Sequence, residues 1–425
     1  MPGHKGMGTL GVEALDITEI SGADSLFAPD GIILESERNA STVFGCPTYY
    51  STEGSSLCIR AMVYLTAMHA KERGTRPLLW AARNAHKTFL SAISLLDVDV
   101  EWQDDAPTLS YLSSTVDATL LDERLACAPQ KPTALYLTSP DYLGGMTDVR
   151  AVADVCHRHG VLLLVDNAHG AYLRFSTPSR HPIDLGADLV CDSAHKTLPV
   201  LTGGAYLHVG HGLAEHFPTY IVKNALALFA STSPSYLILQ SLDAVNPQLA
   251  TTFSASLADI LPAIKALRET LTENGWETFG EEPMKLTLMP KSYGYRGDEV
   301  AERLQARGIE CEFCDPDHIV FMLTPQIGTV GLKALQSALL ALPRRDTLTE
   351  LPPVRSPKKR CLSPREAILS PCERLPVCQC KGRVLAAASV SCPPAVPIVL
   401  SGEEIDEDAL SAFAYYGITH CDVVK

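Results

Sequence analysis

The sequence lacks any uninterrupted apolar run of the ~18 residues that a membrane-spanning helix needs, and its first residues lack the apolar core of a secretory signal. We therefore expect a cytosolic protein with no membrane contact. An excess of positive charge is also missing, because 35 Lys+Arg stand against 49 Asp+Glu and the formal net charge is -14. This balance argues against nucleic acid as a partner.

Metal-binding patterns are scarce, although the chain has 13 cysteines. The close spacings Cys311/Cys314 and Cys378/Cys380 each lack a second pair at the distance that zinc ribbons show. We interpret the cysteines mostly as small buried hydrophobic residues of a reducing compartment. The sequence therefore predicts no metal site.

Two neighbouring segments carry the most informative pattern in the chain. Residues 161–166 are a continuous apolar run that ends on Asp166, as a strand buried on both faces does. A second such strand, residues 187–192, is followed by Lys196. An aspartate at one strand end and a lysine just past the next are the two groups that a pyridoxal phosphate (PLP) site needs, the lysine for a Schiff base and the aspartate opposite the ring nitrogen. The alternative is that Asp166 caps a helix and Lys196 is solvated on a loop.

A third segment predicts a phosphate site. Gly54, Ser55 and Ser56 lead directly into an apolar helix. Unpaired amides point outward at the start of a helix, so small hydroxyl residues and a glycine there can bind an anion. A plain N-cap would explain one serine but not the whole cluster of residues 52–56.

Strands and helices alternate through this part of the chain, which predicts a mostly parallel sheet. Residues 77–81 and 134–138 are further strands, and each delivers polar residues at its carboxyl end. In open α/β sheets this edge is where ligands bind. His86 follows the first of these strands. On its own it would be an ordinary surface histidine, but its place on this edge makes it a candidate site residue.

A series of short motifs along the chain carries a family resemblance: residues 2–6, 16–19, 44–45, 83–87, 138–140, 166–170, 193–196, 232–236, 363–367 and 393–403. In these motifs the sequence resembles the Orn/Lys/Arg decarboxylases, PLP-dependent enzymes of fold type I (the aspartate aminotransferase fold), in their short form. Two positions depart from the family pattern. Asn167 stands where glutamate is common, and Asp192 stands where Gln or Glu is more usual.

The resemblance implies an α/β fold: a fold type I large domain with a mostly parallel sheet, a small α+β domain and a further small C-terminal domain. We expect boundaries as follows: an N-terminal arm 1–50, the PLP-binding large domain 51–245, a linking helix and small domain 246–345, a linker 346–362, and the C-terminal domain 363–425.

The resemblance also implies roles for single residues. Lys196 would hold PLP, Asp166 would pair with the ring nitrogen, His86 would stack on the ring, and His169 would lie beside the cofactor. The residues expected at the phosphate are Gly54, Ser55, Ser56, Ser193 and His195, joined by Ser231 or Thr232 of a neighbouring subunit. A homodimer or higher even oligomer with shared active sites is therefore expected.

The activity that follows from the resemblance is decarboxylation of arginine, lysine or ornithine to the amine and carbon dioxide. One alternative is an aminotransferase or lyase of the same fold, which should show an arginine for the substrate α-carboxylate. Another is a non-catalytic homologue, against which the presence of Lys196, Asp166 and His86 argues. The sequence does not indicate which of the three amino acids is the substrate. We expect the selecting groups to come from loops and from the segment around Glu403.

Overall fold

The fold is seen in a computed structural model that describes residues 1–103, 110–387, 390–392 and 396–425, and only the backbone of 390–392. The predicted motif residues Pro393 and Pro394 lie outside the described residues. The helices are α1 (Ile32–Phe44), α2 (Gly54–Glu72), α3 (Lys87–Leu96), α4 (Ala118–Cys127), α5 (Val149–Arg158), α6 (Ala194–Thr197), α7 (His211–Ala214), α8 (Thr219–Ala227), α9 (Tyr236–Thr251), α10 (Phe253–Glu273), α11 (Gly297–Gln305), α12 (Gly328–Leu340), α13 (Pro364–Leu369) and α14 (Glu407–Tyr415).

The strands fall into four sheets. They are β1 (Thr48–Ser51), β2 (Leu78–Ala82), β3 (Asp99–Gln103), β4 (Ala134–Thr138), β5 (Leu162–Asp166), β6 (Leu189–Asp192), β7 (Ala205–Val209), β8 (Thr278–Phe279), β9 (Lys285–Leu288), β10 (Phe313–Cys314), β11 (Ile319–Met322), β12 (Cys372–Pro376), β13 (Val390–Cys392), β14 (Val396–Val399) and β15 (His420–Val424).

The chain divides into two compact units. The first comprises Met1–Trp80, Asp117–Ser139 and Asp148–Ser254, and the second comprises Ala81–Val116, Pro140–Thr147 and Ala255–Lys425. The five-part division expected from the sequence stays a prediction.

The first unit is built on adjacent strands in the order β1-β7-β6-β5-β4. Strands β4, β5 and β6 are parallel to one another, with Thr138 opposite Asp166. Strand β7 runs antiparallel to both β6 and β1. The carboxyl ends of β4, β5 and β6 therefore meet at one edge.

The three parallel strands are almost entirely buried, because helices cover the sheet. Helix α5 turns Val149, Val152 and Cys156 inward at helical spacing and packs on β5. Helix α2 contacts β1, β5, β6 and β7, and its start lies next to β7, since the Gly54 N–H donates to the Gly203 carbonyl.

The second unit contains a four-stranded antiparallel sheet in the order β10-β11-β9-β8. Its core joins this sheet to the C-terminal segment through buried apolar residues such as Val320, Ile398 and Phe413. Residues 346–359, within the predicted linker, form no helix or strand. No helix among the described residues is long and apolar enough to span a bilayer.

Candidate active site

Lys196 lies in α6, the short helix that follows β6. Its Nζ is 3.0 Å from Nε2 of His169, which follows β5. The turns that leave two neighbouring parallel strands therefore bring this lysine and this histidine into contact. Lys196 is partly exposed and His169 is buried, so the amine lies at the boundary between the core and solvent.

Asp166 ends β5 and is only 3% exposed. Its Oδ1 accepts the N–H of Ala168 at 3.2 Å, and its Oδ2 accepts the hydroxyl of Tyr136 at 3.0 Å. The thiol of Cys191 donates more weakly to Oδ1, at 3.6 Å. A buried carboxylate needs such donors, because burial without them would favour the neutral acid.

Tyr136 is the donor to Asp166 that the sequence analysis missed. It is fully buried in the middle of β4. Burial, reinforced by the charge of Asp166, raises the pKa of its phenol well above the usual value. The hydroxyl therefore keeps its proton and remains a donor at physiological pH. A tyrosine inside the otherwise apolar run of residues 134–137 was the signal that could have found it.

The predicted phosphate residues meet at the start of α2. The hydroxyl of Ser193 donates to that of Ser55 at 2.9 Å. Helix α2 has no side-chain cap, and its first N–H, that of Gly54, donates to the Gly203 carbonyl. Gly54 has φ +69, and a Cβ at this position would meet nothing within 4 Å. Space is therefore open beside Gly54, at the start of the helix.

The remaining predicted phosphate residues lie near the same region. Ser56 is in the first turn of α2. His195 uses Nδ1 to contact the Gly204 carbonyl at 3.1 Å, which fixes its ring. The N–H of Ser231 donates to Glu53 of the same chain at 2.7 Å, and Thr232 follows on the exposed loop. Ser231 thus lies beside the start of α2 within one chain.

His86 belongs to the second unit, where it caps α3. Its Nδ1 accepts the N–H of Thr88 at 3.2 Å. Three residues earlier, Arg83 forms a bidentate pair with Glu403, with distances of 2.5 and 3.2 Å. Glu403 is 6% exposed and also accepts the Leu400 N–H. Its carboxylate is therefore already occupied by protein groups.

The two departures from the family pattern contact each other. The side-chain amide of Asn167 donates to Oδ1 of Asp192 at 2.6 Å. Oδ2 of Asp192 lies 3.0 Å from Nε2 of both His181 and His208. All three residues of this His–Asp–His group have fully buried side chains. Because the histidines precede and follow Asp192 at no regular spacing, no sequence pattern pointed to them.

The charges within this group oppose one another. The hydroxyl of Thr48 lies 3.0 Å from the Cys46 carbonyl and 2.9 Å from Nδ1 of His208. Nε2 of His208 faces Asp192 at 3.0 Å, so a positive charge on the ring would lie beside a carboxylate. Burial opposes this charge, but the Asp192 carboxylate outweighs burial and raises the pKa of His208. Burial likewise opposes the charge of Asp192, but the two histidines lower its pKa below the usual range.

The residues present fit PLP. A lysine beside a histidine, a buried carboxylate on the next strand and two hydroxyls at an open helix start match its aldehyde, ring nitrogen and phosphate. Lys196 and Asp166 would hold its reactive end and its ring, and Ser55 and Ser193 would bind its phosphate.

Comparison with known proteins agrees with this arrangement. The family described as Orn/Lys/Arg decarboxylase, major domain, matches residues 10–282. The chain belongs to this family. The predicted family and enzyme class, an amino-acid decarboxylase, are therefore confirmed, and the family implies PLP as the cofactor.

The relatives are distant and extend over most of the chain. An arginine decarboxylase of Bacillus subtilis (strain 168) is 28% identical over an alignment, gaps included, of 447 residues. The alignment covers 97% of this chain and 88% of the relative. An arginine decarboxylase of Halalkalibacterium halodurans is 29% identical with the same two shares. The uncharacterized protein YaaO of Bacillus subtilis is 27% identical over 93% of this chain and 84% of its own length.

Solved structures show the same fold. The constitutive lysine decarboxylase of E. coli aligns over 100% of this chain and 79% of its own, with a TM-score of 0.75 and 18% identity. A lysine decarboxylase of Francisella novicida aligns over 100% and 78%, with a TM-score of 0.78 and 15% identity. The predicted fold class, an α/β fold type I architecture, is confirmed.

Proposed function

We propose that the protein removes the α-carboxyl group of arginine, lysine or ornithine as carbon dioxide, with PLP held by Lys196. The observation that carries the proposal is the arrangement of Asp166, His169 and Lys196 at the carboxyl ends of two adjacent parallel strands, in a chain that belongs to the Orn/Lys/Arg decarboxylase family. The family's name and the names of the arginine and lysine decarboxylases that resemble the chain support a basic amino acid as the substrate.

PLP, when bound, supplies an electron sink for the bond broken at Cα of an amino acid. Asp166 would keep the ring nitrogen protonated, since an opposed carboxylate within ~4–6 Å favours the charged form. Tyr136 and the Ala168 N–H hold this carboxylate in place through its two oxygens. The contribution of the protein is thus a fixed negative charge that need not reorganise during the reaction.

His169 and Lys196 would handle protons. With Nε2 of His169 3.0 Å from Nζ of Lys196, a proton can pass between the two atoms without a bridging water. Either group can return a proton to Cα after the carboxyl group has left. His195 is less suited to this role, because the Gly204 carbonyl occupies its Nδ1.

We further propose an even-numbered assembly with shared sites. Near the N-terminus, Met7, Leu10, Leu15 and Ile20 are 75%, 81%, 56% and 56% exposed. An apolar surface of this kind is costly to leave in water and is typical of a subunit interface. A second copy of the chain would cover it.

A substrate panel tests the proposed function. The purified protein with added PLP should show a visible absorbance band and release carbon dioxide and the corresponding amine from one of arginine, lysine or ornithine. Lys196→Ala should lose the band and the turnover, whereas the exposed control Lys131→Ala should retain both. Normal turnover of Lys196→Ala would refute the site. A keto-acid product without carbon dioxide would instead support an aminotransferase.

A further inference from the structure

We infer that Asp192 is a positioning residue, which ties the turn carrying Asp166 and His169 to the turn carrying Lys196 through the side chain of Asn167. The inference rests on the proposed function for its catalytic meaning, but its geometry does not. Asn167 sits between Asp166 and His169, and Asp192 lies four residues before Lys196. One hydrogen bond of 2.6 Å between their side chains therefore links both halves of the site.

The direction of this hydrogen bond is fixed by charge. The carboxylate of Asp192 accepts from Nε2 of His208 at 3.0 Å, and the two histidines favour its ionised form by lowering its pKa against the effect of burial. His181 accepts the Ile183 N–H at Nδ1, at 3.3 Å, which leaves its ring proton on Nε2 facing Asp192. Only the amide nitrogen of Asn167 can then point at Asp192, since its oxygen would meet a negative charge.

Backbone hydrogen bonds and a glycine accompany the side-chain bond in the turn around Asn167. The Asn167 N–H donates to the Cys191 carbonyl at 2.9 Å, and the Gly170 N–H donates to the Asn167 carbonyl at 2.8 Å. A Cβ at Gly170 would lie 2.0 Å from Oδ1 of Asn167, so the glycine leaves room for the side chain. The turn that positions His169 against Lys196 thus leaves room for the Asn167 side chain that reaches Asp192.

The pair explains why both departures occur in one chain. A carboxylate at 167 would repel Asp192 across 2.6 Å, whereas an amide at 167 donates to it. The buried histidines compensate the charge that Asp192 brings into the core. The residues at 167 and 192 therefore act as a matched donor and acceptor, and neither is expected to tolerate change alone.

Three variants test the inference: Asn167→Ala, Asn167→Asp, and Asn167→Asp combined with Asp192→Asn. The control is Asn246→Ala, which removes another buried asparagine amide, bonded to Tyr50 at 2.8 Å, away from the site. The first readout is hydrogen exchange of residues 166–170 in protein without PLP. Asn167→Ala should accelerate this exchange at least tenfold, and Asn246→Ala should leave it unchanged.

The second readout is the pH titration of the visible band of the PLP-loaded protein, together with kcat and KM. Asn167→Ala should shift the midpoint by half a pH unit or more and lower kcat at least tenfold with KM within threefold. Asn246→Ala should lower thermal stability without either effect. Asn167→Asp should have the lowest kcat of the three variants. Adding Asp192→Asn to it should raise kcat at least tenfold, because the second substitution restores a donor opposite an acceptor.

The outcomes separate the two proposals. Failure of the wild-type protein to bind PLP would refute the proposed function. Hydrogen exchange of residues 166–170 would still test whether Asp192 positions the turn. Unchanged exchange in Asn167→Ala would overturn the inference whatever the activity. If Asn167→Ala and Asn167→Asp fail to fold, the double variant decides: recovery of folding supports the matched pair, and no recovery over Asn167→Asp overturns it.

Discussion

The hydroxyl of Tyr136 donates to Oδ2 of Asp166 across 3.0 Å, from the middle of one strand to the end of its parallel neighbour. Both side chains are buried. A hydrogen bond to a buried charged group stabilises a protein by about 1.5–3 kcal/mol, more than one between neutral groups. The carboxylate that would face the cofactor is therefore held by a residue with no direct part in the chemistry.

We expect Tyr136→Phe to lower kcat about tenfold, or about 1.4 kcal/mol of barrier, because Asp166 loses the donor that orients and stabilises its charge. Steady-state kinetics with the accepted substrate measure this. The matched control is Tyr206→Phe, since the Tyr206 hydroxyl is buried and has no hydrogen-bond partner among the described residues. Equal effects of the two substitutions would mean that the Tyr136 hydroxyl does not act through Asp166.

Asp166→Asn should leave PLP bound but reduce kcat by about 100-fold or more, about 2.7 kcal/mol. The reason is that an amide cannot keep the ring nitrogen protonated as a carboxylate does. The control Asp188→Asn changes a buried aspartate just before β6, at the opposite edge of the sheet, where it accepts from His157. It should alter stability and leave kcat within about threefold, roughly 0.65 kcal/mol. A comparably small effect of Asp166→Asn would reduce Asp166 to a structural role.

Strands β2, β4, β5 and β6 and the start of helix α2 were predicted from the sequence, but helix α1 was not. Its buried positions Ile33, Ser36, Glu37, Ala40 and Phe44 have helical spacing. Two of them are polar, so the buried face of the helix does not appear as a pattern of hydrophobic residues in the sequence. The buried carboxylate of Glu37 is compensated by Lys223, 186 residues away, at 2.5 Å and by the Tyr50 N–H at 2.8 Å. Such compensation depends on tertiary contacts that no local pattern encodes.

The residues of the candidate site likewise include some that the sequence predicts and some that only the structure reveals. Lys196, Asp166 and the Gly54–Ser56 start of α2 have local signals, namely a strand end or a helix start. The contact of Asn167 with Asp192, and that of Asp192 with His181 and His208, depend on the register of β5, β6 and β7. The sequence suggested that substrate-selecting groups come from loops and the segment around Glu403, whereas the ion pair of Glu403 with Arg83 is a long-range contact that only the structure reveals.

Asp24 offers a test of pH dependence. Burial opposes its charge, but the N–H groups of Asp30, Ser25, Gly31 and Leu34, the last of these in the first turn of α1, outweigh burial and lower its pKa to about 2. A folded-state pKa below the unfolded value gives stability that is present above about pH 4 and lost as the pH falls toward 2. Solvent screening limits the effect, and we expect about 1 kcal/mol, as for a helix cap.

Asp24→Asn should therefore lower the melting temperature at pH 7 and 5, by one to two degrees or about 1 kcal/mol, with the difference from wild type shrinking at pH 4 and below. Calorimetry across this range measures it. Asparagine tolerates the left-handed backbone of Asp24 (φ 65), so strain does not contribute. The exposed Asp30→Asn is the control and should show no pH-dependent difference. A constant difference at all pH values would show that the charge of Asp24 does not matter.

The shared site can be tested by mixing two inactive chains, Lys196→Ala and the double variant Ser231→Ala/Thr232→Ala. If the loop completes a neighbour's phosphate site, a mixed dimer has one intact site, and a 1:1 mixture should recover about a quarter of wild-type activity by random pairing. Ser231 also contacts Glu53 of its own chain at 2.7 Å, which gives the opposite result a concrete basis. No recovery after verified subunit exchange would place the loop in its own subunit's site. An active loop variant would remove it from the phosphate site altogether, and a fully active monomer in light scattering would exclude sharing.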